Sequence, residues 1–169
     1  MRDGRPGFED VVLPHLDAAY GLARWLLRDP ALAQDVVQDA MVRALRYFES
    51  YRGGDGRAWV MQIVRNAAYE ALRERQGRER LVEVPLSEAL PANGADPEAA
   101  CATQEQAGQL EAALARLPVE LRECLVLREV EEMSYREIAE VTGAPIGTVM
   151  SRLWRARQLL MGAAGKEGG

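Results

Sequence analysis

The sequence is poor in the residues that most often do covalent chemistry. Its 169 residues hold one histidine, His15, two cysteines, Cys101 and Cys124, and a single lysine, Lys166. A lone histidine removes the usual acid or base and most hydrolase triads. Two distant cysteines with no Cys-x-x-Cys pair leave a zinc site short of ligands, so no metal is expected. Without an export signal they read as reduced thiols, Cys124 packed in a helix and Cys101 exposed. Phosphate-binding and nucleophile-elbow glycine motifs are also missing, which argues against an enzyme, a cofactor or a small-molecule substrate. No run approaches the ~18 apolar residues of a membrane span. The polar start Met1-Arg2-Asp3-Gly4-Arg5-Pro6-Gly7 lacks a signal-peptide core, so a cytoplasmic chain with no membrane insertion is expected.

What is present is charge, unevenly spread. Twenty arginines and one lysine face twenty-six carboxylates, a net −5. That average hides blocks. From Arg52 to Arg80 seven arginines stand against four carboxylates, whereas Leu81 to Glu111 has six carboxylates and no basic residue. From Ala144 to Ala164, Arg152, Arg155 and Arg157 meet no acid. Two basic segments flank an acidic one.

Apolar periodicity follows the same partition, stopping near Leu81 and resuming near Gln104. Residues 81–103, with three prolines and Asn93-Gly94, read as a flexible acidic linker. The fold class is all-α, two small helical domains at 1–80 and 104–163 with a frayed tail at 164–169; no segment alternates with period two. The first helix spans Phe8 to Arg28, bent at Pro14. The second is capped by Asp29 with Pro30 at its first position, and buries Ala33, Val36 or Val37, Ala40, Val42 and Leu45. The third covers Arg57 to Gln76, with Trp59, Ile63, Ala67 and Leu72 inward.

Beyond the linker come a helix from Gln104 to Arg116 and one opened by Pro118. Ser134-Tyr135-Arg136-Glu137 then fits a capping box, and Gly143 ends the short helix it starts. A further helix begins at Ile146, which makes a helix-turn-helix pattern. At 100° per residue its core stripe is Ile146, Val149, Leu153, Ala156 and Leu160. Thr148, Ser151, Arg155 and Gln158 lie opposite, with Arg152 and Trp154 on the flanks and Arg157 in the same basic segment. Hydroxyl, amide and guanidinium groups on one face suit a major groove, where Arg155 can contact guanine bidentately.

At this point the residues resemble the extracytoplasmic-function (ECF) group of sigma-70 transcription initiation factors. Leu114-Ala115-Arg116-Leu117-Pro118, Arg122 to Arg128, Ser134 to Glu140 and Gly147 to Arg157 resemble its promoter-reading region 4. Asp35-Val36-Val37-Gln38-Asp39-Ala40 and Arg57-Ala58-Trp59-Val60 through Ile63-Val64-Arg65-Asn66 resemble region 2. The resemblance implies a specificity subunit that binds core RNA polymerase and promoter DNA. Region 4 would read the −35 element and region 2 would open the −10 element. It also implies polymerase docking through Asp35, Gln38, Asp39 and Arg43, and −10 contacts through Arg57, Arg65 and Asn66. Arg65, Arg73, Arg75, Arg78 and Arg80 supply phosphate attraction.

An anti-sigma protein is a further partner expected from the family, with the free chain a monomer. The competing readings are a sigma-like decoy that sequesters an anti-sigma protein and a plain helix-turn-helix repressor. Gly56, Gln34 and Met150 depart from residues common in the family: a bulky apolar side chain near the DNA, an acid in the docking helix and a base in the recognition helix. The 23 linker residues reach ~75 Å extended at about 3.3 Å each, enough for elements one to two DNA turns apart. The acidic linker beside basic segments also suggests a compact free protein with its DNA surfaces partly masked.

Overall fold

The computed structural model describes residues 4–82 and 102–167, which are helical with no strand among them. Helix α1 (Phe8–Val12) passes through a tight turn at Leu13–His15 into α2 (Leu16–Leu27). The bend expected at Pro14 is that turn, where the proline brings no N–H to a helical ladder. Arg28 ends α2 in the left-handed region at φ 60°, its N–H bonded to the Arg24 carbonyl at 2.8 Å.

Helix α3 (Pro30–Tyr47) starts as its sequence dictates: Asp29 Oδ1 accepts from the amides of Ala31 at 3.1 Å and Leu32 at 3.2 Å. These bonds satisfy donors that the first helical turn leaves free. A turn at Phe48–Ser50 and two glycines at positive φ, Gly53 and Gly54, lead to α4 (Gly56–Val82). Gly56 has a packing reason, since a Cβ there would stand 3.1 Å from Val11 Cγ1. The missing side chain lets α1 lie against the start of α4.

The C-terminal part comprises α5 (Ala102–Arg116), α6 (Val119–Glu129), α7 (Tyr135–Thr142) and α8 (Ile146–Glu167). Helix α8 therefore runs past residue 164, where fraying was expected, and α4 extends to Val82. The rest of the expected linker, 83–101 with Cys101, lies outside the described residues.

Three burial expectations need correction. Val42 and Leu45 are 57% and 62% exposed, because the buried stripe of α3 is Ala33, Val36, Ala40 and Ala44. In α4 the core is Val60, Met61, Val64, Ala67 and Ala68, with Trp59, Ile63 and Leu72 only half-buried. Ile146 is exposed in the first turn of α8 and Leu160 is only half-buried, while Val149, Leu153 and Ala156 are buried as expected.

Helices α2, α3 and α4 pack against one another, as do α6, α7 and α8. The two bundles also abut, α2 on α6 and α4 on α7. One apolar core runs from Val11 to Ala156 across this junction. Among the described residues no helix is long and apolar enough to cross a membrane.

Candidate nucleic-acid and polymerase interfaces

The helix-turn-helix is held by its own punctuation. Glu137 N–H donates to Ser134 Oγ at 3.1 Å, and Ser134 N–H donates to Glu137 Oε1 at 3.0 Å, a reciprocal cap on α7. Ser134 amide bonding, then Arg57, holds the Glu137 carboxyl down at about 2. Gly143, at φ 73°, closes the helix through its N–H to the Ala139 carbonyl at 2.8 Å. Val149, Leu153 and Ala156 then seat α8 in the core, leaving Ser151, Trp154, Arg155 and Gln158 exposed and Thr148 and Arg152 half-exposed. Trp154 is 65% exposed on the flank of this face.

Arg157 departs from this set. Two residues beyond Arg155 it points about 200° around the helix, where its guanidinium donates to Glu129 of α6 at 3.1 Å. The basic run in the sequence is therefore split between a solvent face and an intramolecular one.

On α4 the structure brings Arg65 and Asn66 together, Arg65 Nη1 donating to Asn66 Oδ1 at 3.3 Å. Asn66 is exposed. Arg57, two turns earlier, is half-buried and donates to the Glu131 carbonyl at 3.0 Å and to Glu137 Oε2 at 2.9 Å. Arg65 donates through Nε to Glu123 Oε2 at 2.8 Å and lies over the Tyr69 ring, 4.0 Å from its centroid. Burial alone would lower the Arg65 guanidinium, and its bonds to Glu123 reverse that, so it is raised. Glu123 is wholly buried; desolvation pushes its carboxyl up, against the pull of Arg65 and Tyr69. Both arginines thus meet carboxylates of the second bundle.

On α3, Asp35, Gln38 and Asp39 are exposed on neighbouring turns. Arg43 donates to Glu70 at 2.6 Å and pairs with Asp39 at 2.9 Å, and the bond to Glu70 leads the causes that raise it. Exposed Val42 and Leu45 extend the same side of the helix, at 20–80° from Asp35 by helical phase. Sequence periodicity placed them in the core; their exposure makes this face part acidic and part apolar.

One feature went unread in the sequence. A cavity of about 520 Å³ is lined by Arg5, Pro6, Phe48, Glu49, Tyr51, Arg52 and Gly53. Its aromatic wall continues through Tyr51 to Trp59, with ring centroids 5.1 Å apart. Aromatic faces beside guanidinium groups are the chemistry of a single-stranded nucleic acid platform. The only sequence signal was the Gly53-Gly54 turn that brings these side chains to one rim.

Comparison with known proteins agrees with this partition. Residues 11–78 match the family "Sigma-70 region 2" and residues 107–160 match "Sigma-70, region 4". The RNA polymerase sigma-H factor of Pseudomonas aeruginosa is 32% identical over 168 residues, covering 95% of this chain and 87% of that protein. The chain belongs to the sigma-70 family. Within it the chain falls in the ECF subgroup: it is 33% identical to the ECF RNA polymerase sigma-E factor of Escherichia coli, over 75% of this chain and 70% of that protein, and 34% identical to the ECF RNA polymerase sigma factor SigE of Mycolicibacterium smegmatis, over 92% of this chain. It spans 60% of that protein's length. Among solved structures, the sigma factor RpoE of Bartonella quintana, crystallised with the anti-sigma factor NepR, superposes with a TM-score of 0.72 at 28% identity, covering 94% of this chain and 96% of that one. Sigma-70 region 2 thus corresponds to α1–α4 and region 4 to α5–α8. Members of this family are transcription initiation factors.

Proposed function

We propose that this chain is a sigma factor that binds core RNA polymerase and directs it to specific promoters. Region 4 reads the duplex −35 element with Thr148, Ser151, Arg152, Trp154, Arg155 and Gln158. Region 2 captures and opens the −10 element with Arg57, Arg65 and Asn66, beside the cavity walled by Phe48 and Tyr51. Asp35, Gln38 and Asp39 dock on the polymerase, with Arg43 holding Asp39 in register and Val42 and Leu45 adding apolar area. Acids in one patch steer association with a basic partner surface. The chain performs no covalent step, and it works in the cytoplasm where the polymerase and promoters are. An anti-sigma protein regulates it, a reading supported by the NepR complex of the Bartonella relative.

The observation that carries this reading is the pairing of two modules in one chain: a capped helix-turn-helix with a polar, Trp-flanked outer face, and a second bundle whose α4 carries Arg65 and Asn66. A repressor needs only the first. The test is transcription by purified core polymerase with and without this chain on a genomic promoter library. New start sites sharing two spaced elements are expected; chain-independent start sites would refute the function.

A further inference from the structure

Three arginines meet at the C-terminal end of α2. Arg122 of α6 donates through Nη2 to the Leu26 carbonyl at 3.0 Å, and through Nη1 to the carbonyls of Ala115 at 3.2 Å and Leu117 at 3.1 Å. Arg75 of α4 donates to the Leu27 carbonyl at 3.3 Å. Arg28, the residue that closes α2, donates to the Glu111 carbonyl of α5 at 3.5 Å. A cation suits a helix C-terminus, whose last carbonyls carry about half a negative charge. Three full charges exceed that several-fold, and among the described residues none of the three is paired with a carboxylate. Burial first, and then repulsion by Arg28, lowers the Arg122 guanidinium, so these charges lie within reach of one another; Glu120 opposes that only weakly. Arg122 is 7% exposed, and its Nε is buried with no acceptor. A buried guanidinium surrounded by neutral carbonyls alone is costly. Arg28 holds φ 60°, the left-handed conformation in which glycine usually closes a helix, so its side chain is kept here against a backbone cost.

We propose that Arg28, Arg75 and Arg122 form a binding site for an oligophosphate, the diphosphate or triphosphate group of a small molecule. Arg28 and Arg75 are half-exposed, and among the described residues each uses one guanidinium nitrogen on a carbonyl. The remaining N–H groups of each planar fork match phosphate oxygens. Arg122, enclosed by α2 and the α5–α6 turn, adds its charge in a low-dielectric setting, where it acts more strongly than in water. Three charges at one place favour a multiply charged anion over a monoanion. The bonds of these arginines join α2, α4, α5 and α6, so the site is a crease that accepts a compact anion, whereas a nucleic acid backbone tracks along an open basic groove. Arg75 stands about ten residues, or roughly 15 Å along α4, beyond Arg65, which separates the site from the proposed −10 contacts.

Isothermal titration of the full chain with pyrophosphate, inorganic triphosphate, ATP and adenosine, at matched ionic strength, tests the site. Saturable binding of the three phosphate compounds is expected, with adenosine silent. Equal affinity for triphosphate and ATP assigns the site to a free oligophosphate, and tighter ATP binding assigns it to a nucleotide. Arg28→Asn with Arg75→Gln should weaken binding at least ~10-fold through loss of charge-assisted bonds, asparagine being tolerated at positive φ. A control carrying Arg46→Gln and Arg136→Gln, two exposed arginines on other helices, matches the change in net charge and should bind as wild type does. At ~10 times its dissociation constant the ligand should raise the thermal midpoint of the wild type by about 3–6 °C, and that of the double variant by less than about 2 °C. If circular dichroism finds the double variant unfolded, Arg75→Gln alone, which removes one half-exposed side chain, takes its place. No saturable binding, equal binding by the variant, equal weakening in the control, or adenosine binding as tightly as ATP would each overturn the proposal. So would a short single-stranded DNA that loses affinity in the variant while pyrophosphate fails to bind, a result that would give these arginines to nucleic acid.

Discussion

Two arginines of one helix, Arg155 and Arg157, allow the proposed −35 face to be tested against a matched neighbour. They share charge, length and exposure, but the helical phase separates them by about 200°. Arg155 is exposed on the side away from Val149, Leu153 and Ala156. Arg157 pairs with Glu129, and both side chains are about half exposed. Arg155→Ala should therefore cost about 1–3 kcal/mol of promoter recognition, the worth of a bidentate base contact, or roughly 5- to 150-fold in affinity. Its effect on stability should stay within about 0.5 kcal/mol, as for most surface substitutions. Arg157→Ala removes a screened surface pair worth about 0.2–1 kcal/mol of stability and leaves base preference unchanged. Selection from a randomised duplex library by reconstituted polymerase, followed by sequencing, reads base preference, while urea melts of the free chain read stability. Altered base preference in Arg157→Ala with wild-type preference in Arg155→Ala would refute the orientation assigned to α8.

Asp35→Arg with Asp39→Arg should abolish co-purification with core polymerase while leaving the circular dichroism melt close to wild type, since both side chains are exposed; normal co-purification would remove this face from docking. Asn66→Ala should bind a duplex promoter in the closed form but open it poorly, with a smaller, still measurable defect on a pre-melted bubble, because the bubble has already met part of the unpairing cost. Permanganate footprinting of both templates separates melting from contact. Glu137 is held down at about 2, first by the Ser134 amide and then by Arg57. A depressed carboxyl contributes stability that is present above its unfolded value near 4.5 and is lost as pH falls toward 2. Glu137→Gln should thus be less stable than wild type by about 1 kcal/mol at pH 7, after allowance for solvent screening, and the gap should close between pH 4.5 and 2 in thermal melts. Burial pushes the Cys124 thiol up to about 11, so iodoacetamide should modify it only when region 4 unfolds, as mass spectrometry of native and urea-treated chains would read.

Local chemistry was legible wherever a single residue type dictates backbone geometry. Asp29 with Pro30, the Ser134–Glu137 box and Gly143 each marked a helix end that the structure reproduces, because their hydrogen bonds span four residues or fewer. The core stripe of α8 was legible at Val149, Leu153 and Ala156, though not at its ends, where Ile146 is exposed and Leu160 half-buried. Val42 and Leu45 were misread because periodicity reports which residues are apolar, and it does not distinguish a buried stripe from an apolar face left for a partner. In α3 the true stripe is built largely from alanines, which allow close helix approach but stand out little in a hydropathy pattern.

The junction between the bundles was illegible for a different reason. Arg65 and Glu123 are 58 positions apart and Arg57 and Glu137 are 80 apart, on helices whose relative placement no local pattern encodes. Read by itself, Glu123 is a charged residue between Arg122 and Cys124 in a helix that should be apolar inward. In the structure it is wholly buried and satisfied by a fork and a hydroxyl, and desolvating it is costly without those partners. A carboxylate in that position is poorly explained by the folding of region 4 alone, where an apolar residue of similar volume would fill the space at less cost. It is explained by Arg65, whose guanidinium packs at this junction and requires an anion there, and region 4 provides one.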